Sequence, residues 1–271
     1  MIGMDKRLSD LLILIRGAGE MATGVAHRLS SCHFKVCMTE TSNPQAVRRE
    51  VAFSEAIFDW EREVEGITAK RVESPDQIPE VWKDKKIPIL IDPDAKVKDL
   101  LKPDVLIDAT LAKKNLGTKI TDALLVVGLG PGFHAGRDVH LVIETNRGHN
   151  LGRIIANGEA EPNTGIPGPV AGYTEERVIR APKEGKFKAL KMIGDDVKAN
   201  ENVGMIGNAV VQSRIAGVIR GLLRDGTEVW KGMKLGDVDP RGIKAHCHTI
   251  SDKARTISGG VLQAMLEHFN G

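Results

Sequence analysis

The feature that most constrains the fold is an apolar run that ends in a glycine turn. Residues 11–15, Leu-Leu-Ile-Leu-Ile, are followed almost at once by Gly17-Ala18-Gly19, and apolar residues then recur at helical spacing as far as Leu29. A short β-rich run is typical of a strand buried on both faces, and the later spacing is typical of an amphipathic helix. The stretch therefore predicts a strand, a tight turn and a helix, the opening unit of a parallel sheet.

Further apolar runs follow with helical patterns between several of them. Strands are predicted at 34–38, 87–91, 105–109, 124–127 and 139–143, and helices at 95–101 and 258–269. This alternation favours an α/β fold with a Rossmann-like, doubly wound and mostly parallel sheet. In such a fold, ligands bind beyond the carboxyl ends of the strands.

After about Tyr173 the chain changes to short valine- and isoleucine-rich pieces that nearly repeat. The matching pairs lie 32 residues apart, as in Gly185/Gly217, Val197/Val229 and Gly204/Gly236. Two related halves predict a small β-sandwich that resembles a lipoyl or biotinyl (barrel-sandwich) module. Those carriers need a lysine in the hairpin between the halves, and none occurs from Met205 through Gln212. The predicted module is therefore structural or used for docking.

Three parts are expected along the chain: a nucleotide- or cofactor-binding domain over 1–173, the sandwich over 174–242, and a segment over 243–271 whose helix packs back on the first domain. The 271 residues carry 38 Lys and Arg against 36 Asp and Glu, so nothing favours a nucleic-acid or membrane-surface partner. Three cysteines without a Cys-x-x-Cys pair indicate a reducing compartment. The first apolar run is too short for a membrane span, and a cytoplasmic location is expected.

The glycine turn fits the dinucleotide fingerprint in its Gly/Ala form, Gly17-x-Gly19-x-x-Ala22. Gly17 would make the turn, Gly19 would admit a pyrophosphate, and Ala22 would allow close helix packing. Glu40 ends the second predicted strand at a distance suited to binding a ribose hydroxyl. The alternative is a glycine-rich turn that binds no dinucleotide.

A second glycine loop, GLGPGFHAG, follows the run at 124–127 and contains Gly128, Gly130 and Gly132. A loop with so little side chain can bring backbone N–H groups close to a small anion. We expect it to form the second lip of a nucleotide-sized cleft whose first lip is the Gly17 turn.

The densest polar segment, ETNRGHNLGR, follows the predicted strand at 139–143. In it, Arg147 and Arg153 would bind phosphate, Asn146 and Asn150 would read a heterocycle edge, and His149 would exchange a proton. The competing interpretation is a capped turn with solvated arginines.

His246-Cys247-His248 has the residue types of a metal site. In an extended segment the two histidines share one face and Cys247 points away, so no metal site is predicted. Cys247 is a candidate for a thiolate that carries sulfur or selenium. The alternative is a small buried thiol.

Seven motifs resemble the YqeB family of accessory proteins for selenium-dependent molybdenum hydroxylases: IRGAGEMATGVAHRL, VAFSEAIFD, GLGPGFHAG, VIETNRGHNLGR, PNTGIPG, GDVDPRG and ISDKA. The first is also similar, more loosely, to xanthine dehydrogenase accessory proteins. The resemblance implies a role in maturing a molybdenum hydroxylase that contains selenium.

Three functions remain open at this point. The first is a maturation factor that holds a molybdopterin dinucleotide or a similar nucleotide-containing cofactor and docks the client enzyme. The second is an NAD(P)-dependent oxidoreductase in which His149 is the proton donor. The third is an adaptor without catalytic activity.

Overall fold

The computed structural model describes residues 7–270, which form two compact units. The first contains the chain up to Pro44, Ala52–Asn163 and the chain from Ile250 onward. The second contains Gln45–Val51 and Thr164–Thr249. Each unit therefore has its own core, and a short segment of the N-terminal half belongs to the second.

The first unit carries a mixed sheet and the α-helices. Its helices are α1 (Glu20–Ser31), α2 (Ala56–Asp59), α3 (Ile78–Lys83), α4 (Lys98–Leu101) and α5 (Asp252–Asn270). Its strands are β1 (Leu12–Arg16), β2 (Lys35–Glu40), β3 (Glu61–Val64), β4 (Ile67–Val72), β5 (Ile87–Ile91), β6 (Val105–Asp108), β7 (Leu125–Leu129), β8 (His134–Ala135), β9 (Leu141–Ile143), β10 (Ile154–Ile155) and β11 (Gly158–Glu159). The strands predicted from the apolar runs are all present, with their ends moved by at most two residues.

Nine strands form one sheet in the order β10-β9-β7-β6-β1-β2-β5-β4-β3. The seven central strands are parallel, while β10 and β3 pair antiparallel at the two edges. The predicted Rossmann-like, doubly wound fold is wrong. Such a fold needs helical crossovers on both faces. Here only α1 and α5 exceed six residues, and α5 comes from the end of the chain rather than from a crossover.

Helix α5 packs against α1 within the first unit. The Arg28 guanidinium on α1 donates to the Ser258 hydroxyl on α5 at 2.8 Å. Ala254 and Val261 on α5 are fully buried. Apolar contact, together with several hydrogen bonds and ion pairs, therefore fixes the C-terminal helix on this unit.

The second unit consists of two four-stranded antiparallel sheets, ordered β12-β19-β17-β14 and β16-β15-β13-β18. The strands are β12 (Val178–Arg180), β13 (Gly185–Ala189), β14 (Asp196–Val197), β15 (Asn202–Ile206), β16 (Ala209–Gln212), β17 (Gly217–Leu222), β18 (Glu228–Val229) and β19 (Lys234–Asp239). Strands 32 residues apart occupy matching places, so the sequence repeat is also a structural repeat.

The lipoyl or biotinyl classification is nevertheless wrong. This unit is an antiparallel β domain to which a distant segment, Gln45–Val51, is added. The Val47 carbonyl accepts a hydrogen bond from the Leu222 N–H, and the Arg49 side chain donates to the Leu222 carbonyl. A sequence period shows that two halves are related, but it does not show how their sheets curve or what covers them.

Among residues 7–270 no helix has both the length and the apolar character needed to span a membrane.

One histidine beneath α5 gives a pH-dependent prediction. His140 Nδ1 accepts a hydrogen bond from the Val126 N–H at 2.9 Å, and its ring lies 6.2 Å from that of His268. Burial, followed by the charge of His268, lowers the pKa of His140 below the ordinary 6.5. The neutral form is therefore favoured in the folded state, so its stabilisation is complete above about pH 6.5 and is lost as the pH falls.

We expect the free energy of unfolding to decrease between pH 7.5 and 5. In His140→Asn, whose amide oxygen can still accept from Val126, that decrease should be smaller. Urea unfolding at both pH values measures it, with the exposed His149→Asn as control. Equal pH slopes for His140→Asn and the parent would contradict the prediction.

Candidate functional site

The turn between β1 and α1 leaves open space beside a helix N-terminus. Gly17 has φ +96°, and a Cβ there would lie 3.0 Å from the Ala109 carbonyl oxygen. Gly19, at φ −68°, would meet nothing within 4 Å. Gly19 is the N-cap residue of α1 and has no side chain that could cap the helix. This end of α1 therefore has room and hydrogen-bond donors for an anionic group.

The segment VAFSEA, residues 51–56, holds the turn through hydrogen bonds. The Ala18 carbonyl accepts from the Ser54 N–H at 2.9 Å and from the Thr23 hydroxyl at 3.1 Å. The same hydroxyl oxygen accepts from the Phe53 N–H at 2.8 Å. Thr39 Oγ1 and Ser54 Oγ are buried beside the turn without a hydrogen-bond partner among the described residues. The turn is thus rigid, and Ala22 behind it is fully buried.

Glu40 at the end of β2 supports the turn directly. One carboxylate oxygen accepts from the Ala18 N–H at 2.8 Å and the other from the Thr41 N–H at 2.7 Å. The carboxylate predicted to bind a ribose is therefore already bonded to backbone. Each oxygen keeps a further lone pair, and the side chain is only partly buried.

A buried ion pair lies beside the turn, between the ends of β1 and β6. Arg16 is 4% exposed and donates to Asp108 at 3.4 Å, to the Thr118 hydroxyl at 3.1 Å and to the Leu116 carbonyl at 3.2 Å. Asp108 also accepts from Thr118 at 2.6 Å and from Thr110 at 2.7 Å. This network fixes the loop after β6 against the turn.

The second glycine loop is filled by protein. A Cβ on Gly128 would lie 2.6 Å from the Phe133 ring, and one on Gly132 would lie 2.5 Å from the Lys114 nitrogen. A Cβ on Gly130 would overlap the Thr145 hydroxyl. These three glycines therefore allow close packing of neighbouring loops, and the geometry gives no support to an anion cradle there.

The polar segment after β9 is organised around two glutamates. Glu144 is 2% exposed, and its carboxylate accepts from the N–H groups of Asn146 at 2.6 Å and Glu161 at 2.7 Å. Glu161 accepts from the side-chain amides of Asn146 at 2.6 Å and Asn150 at 3.2 Å. The two asparagines predicted to read a heterocycle therefore hold a carboxylate instead.

The other residues of this segment that were predicted to form a site do not lie together. Arg147 forms a bidentate ion pair with Asp252 at the start of α5, at 2.7 and 2.8 Å. His149 is exposed. Arg153 is exposed and donates to the Asn150 amide oxygen at 3.4 Å. Arg153 faces a cavity of about 340 Å³ together with Asn150 and Glu161, and Arg147 does not.

The His246-Cys247-His248 segment lies in the second unit, on a short 3₁₀ helix, Lys244–Cys247. Cys247 is 1% exposed, and its thiol faces the Ile219 carbonyl at 3.6 Å. Burial raises the pKa of this thiol, which disfavours a reactive thiolate. His246 and His248 approach different carboxylates. Among residues 7–270 no group of three or more His, Cys, Asp or Glu side chains is arranged to hold a metal ion.

Sequence reasoning missed Arg16, Asp108 and Glu161. Arg16 reads as the last residue of an apolar run, and Asp108 lies inside another run. Glu161 lies 15 residues beyond Asn146, the amide that it binds. No local pattern reveals such partners, because the sheet brings them together.

Comparisons with known proteins give a relative and a set of remote structures. No protein-family model matches the chain. The chain is 47% identical over 255 residues to a protein of Escherichia coli strain K12 described as the uncharacterized protein YqeB. The alignment covers 94% of this chain and 47% of the relative, so the chain spans about half of that protein's length.

The similar solved structures are remote. They include the product-bound ectoine utilization protein EutE (DoeB) from Ruegeria pomeroyi, at 10% identity over 84% of this chain and 85% of that one, with a TM-score of 0.26. An aspartoacylase family protein from Mesorhizobium loti gives 12% identity, the same coverages and a TM-score of 0.28. At these TM-scores the similarity supports no argument about function. The sequence relationship is the more informative one, because the similarity to YqeB extends over nearly the whole of this chain.

Proposed function

We propose that this chain binds a nucleotide-containing small molecule at the carboxyl edge of its parallel strands, as an accessory protein in the maturation of a molybdenum hydroxylase. The observation that carries the proposal is the open space at Gly19, the N-cap residue of α1, which has no side chain. A phosphate there would accept from backbone N–H groups and lie in the positive field of the helix. The maturation role comes from the resemblance of the motifs and awaits its own test.

The order of the strands supports this position. Strand β1 has β2 on one side and β6 on the other, so the chain first adds strands on one side of β1 and later on the other. In open sheets with parallel strands, ligands occupy the crevice outside the carboxyl ends at such a point. The Gly17 turn lies at this point, supported by the buried Thr23 and Ser54 and by the partly buried Glu40.

The residues present fit the diphosphate and ribose of a nucleotide. Gly19 admits the diphosphate without a Cβ in the way, and Glu40 has lone pairs left for a hydroxyl. The unpartnered hydroxyls of Thr39 and Ser54 lie beside the turn, and buried polar groups without partners need an explanation. We therefore expect Gly19 to decide whether the ligand binds.

Gly19→Asp tests the proposal. Asp is a favourable N-cap residue, so this variant should fold at least as stably as the parent. Its carboxylate would take the helix N–H groups and repel a phosphate. We expect the affinity for cytidine diphosphate or NAD⁺, measured by titration calorimetry, to fall at least tenfold.

The control is Gly259→Asp, which adds the same charge within α5, at a residue without a positive φ where a Cβ also meets nothing within 4 Å. It should bind the nucleotide as the parent does. If the parent binds neither nucleotide, or if Gly19→Asp binds as tightly as the parent, the proposal is wrong.

A further inference from the structure

A second feature of the same unit, the Glu161 carboxylate, is oriented without being neutralised. The side-chain amides of Asn146 and Asn150 donate to its two oxygens, one each. Those two bonds lower the pKa of Glu161, so it is ionised at neutral pH. Unlike a lysine or arginine partner, an amide leaves the negative charge uncompensated, and each oxygen can still accept another hydrogen bond.

Glu144 fixes this arrangement from inside the protein. Its buried carboxylate accepts the backbone N–H of Asn146 and that of Glu161, so it sets the positions of a donor and its acceptor together. Two ordered segments thus meet at one anchor. Such support is typical of side chains whose orientation matters for binding.

The cavity beside Glu161 has walls of three kinds. Its volume is about 340 Å³, and it is lined by Asn150, Arg153, Ile154, Ile155, Glu159 and Glu161, among others. Ile154 offers apolar contact for a flat ring, whereas Ile155, the next residue of β10, packs against the core. The carboxylate accepts hydrogen bonds, and the Arg153 guanidinium donates them.

We propose that this cavity binds a 2-amino-4-oxopyrimidine ring, the ring that guanine and pterins share. Its ring N–H and amino group are adjacent donors and match the two oxygens of Glu161, while its carbonyl would accept from Arg153. Adenine and cytosine do not present this pair of donors together. The carboxylate is thus the specificity-determining group, and Glu144 and the two asparagines are positioning residues.

This inference rests on the proposed function and assigns a second half of the same site. The Gly17 turn follows β1 and Glu144 follows β9, three strands away along the same edge. With about 4.8 Å between neighbouring strands, the two places are separated by roughly 14 Å. A ligand with a diphosphate at one end and a bicyclic ring at the other has this reach.

Free neopterin and guanosine monophosphate are the probes, with adenosine monophosphate as comparison. Neopterin carries no phosphate and therefore reports on the cavity independently of Gly19. Glu161→Gln should weaken the binding of the recognised probe at least tenfold, and Asn146→Ala should weaken it less. Glu63→Gln, an exposed carboxylate on β3, is the matched control and should bind as the parent does.

Tighter binding of neopterin would identify a pterin as the source of the ring, and tighter binding of guanosine monophosphate a guanine nucleotide. Either result supports the assignment if it depends on Glu161. Binding of neither probe, equal binding by Glu161→Gln, or equal binding of adenosine monophosphate would overturn it. If nucleotide binding still depends on Gly19 in that case, only this inference fails. If Gly19 is also without effect, the proposed function fails with it.

Discussion

Arg16→Met is expected to lower the free energy of unfolding by about 3 to 5 kcal/mol, the usual cost of leaving a buried charge without its partner. Asp108 is fully buried and would keep only its bonds to Thr110 and Thr118. The Leu116 carbonyl, in the loop after β6, would also lose the hydrogen bonds that Arg16 donates to it. Chemical denaturation of the purified variant measures the loss.

The control is Arg147→Met, because Arg147 and Asp252 are partly exposed and such pairs contribute about 0 to 1 kcal/mol. Adding Asp108→Asn to Arg16→Met should restore part of the lost stability, since it removes the uncompensated charge. A loss below about 1 kcal/mol for Arg16→Met would show that the network does not fix the edge of the sheet.

Asp237→Ala is expected to have a comparable effect in the second unit. Asp237 is 1% exposed and accepts from Arg177 and from Arg220, the latter at 2.5 and 2.9 Å. Removing it takes the Asp237 carboxylate from the buried Arg177 and leaves Arg220 with Asp239, at 3.4 Å, so we expect a cost of about 3 to 5 kcal/mol. Arg220 lies on β17 and Asp237 on β19, and these two strands pair in the same sheet.

Asp196→Ala is the matched change at an exposed carboxylate, which pairs with Lys244 at 2.9 Å. It should cost about 0 to 1 kcal/mol. Asp237→Asn, which keeps one acceptor oxygen, should fall between the two. If Asp237→Ala unfolds at the same denaturant concentration as Asp196→Ala, the cluster does not stabilise this unit.

The central strands were predictable because each is an apolar run that the sheet buries. The strands β3 and β4 were not predicted, since EREV is mostly charged and ITAKRV mixes polar with apolar residues, so neither is an apolar run. Helix α5 begins six residues before its predicted start, because its first turn, from Asp252, is polar.

The candidate site was predictable only where a local pattern defines it. The Gly17 turn is such a pattern. The GLGPGF segment is also a glycine-rich loop after a strand, but a Cβ on its glycines would meet Phe133, Thr145 and Lys114, which only the folded chain brings near. Glu161 was missed for the same reason. Its importance depends on two amides and on Glu144, and no spacing in the sequence connects them.

The most direct test of the account is mass analysis of the small molecules released when the protein is denatured. The parent and Gly19→Asp would be purified side by side from a host that makes molybdenum cofactor. We predict that the parent releases a nucleotide-containing molecule, a molybdopterin dinucleotide or a relative of it, and that Gly19→Asp releases less than a tenth as much. Equal release from both proteins, or no nucleotide from either, would contradict binding at the Gly17 turn.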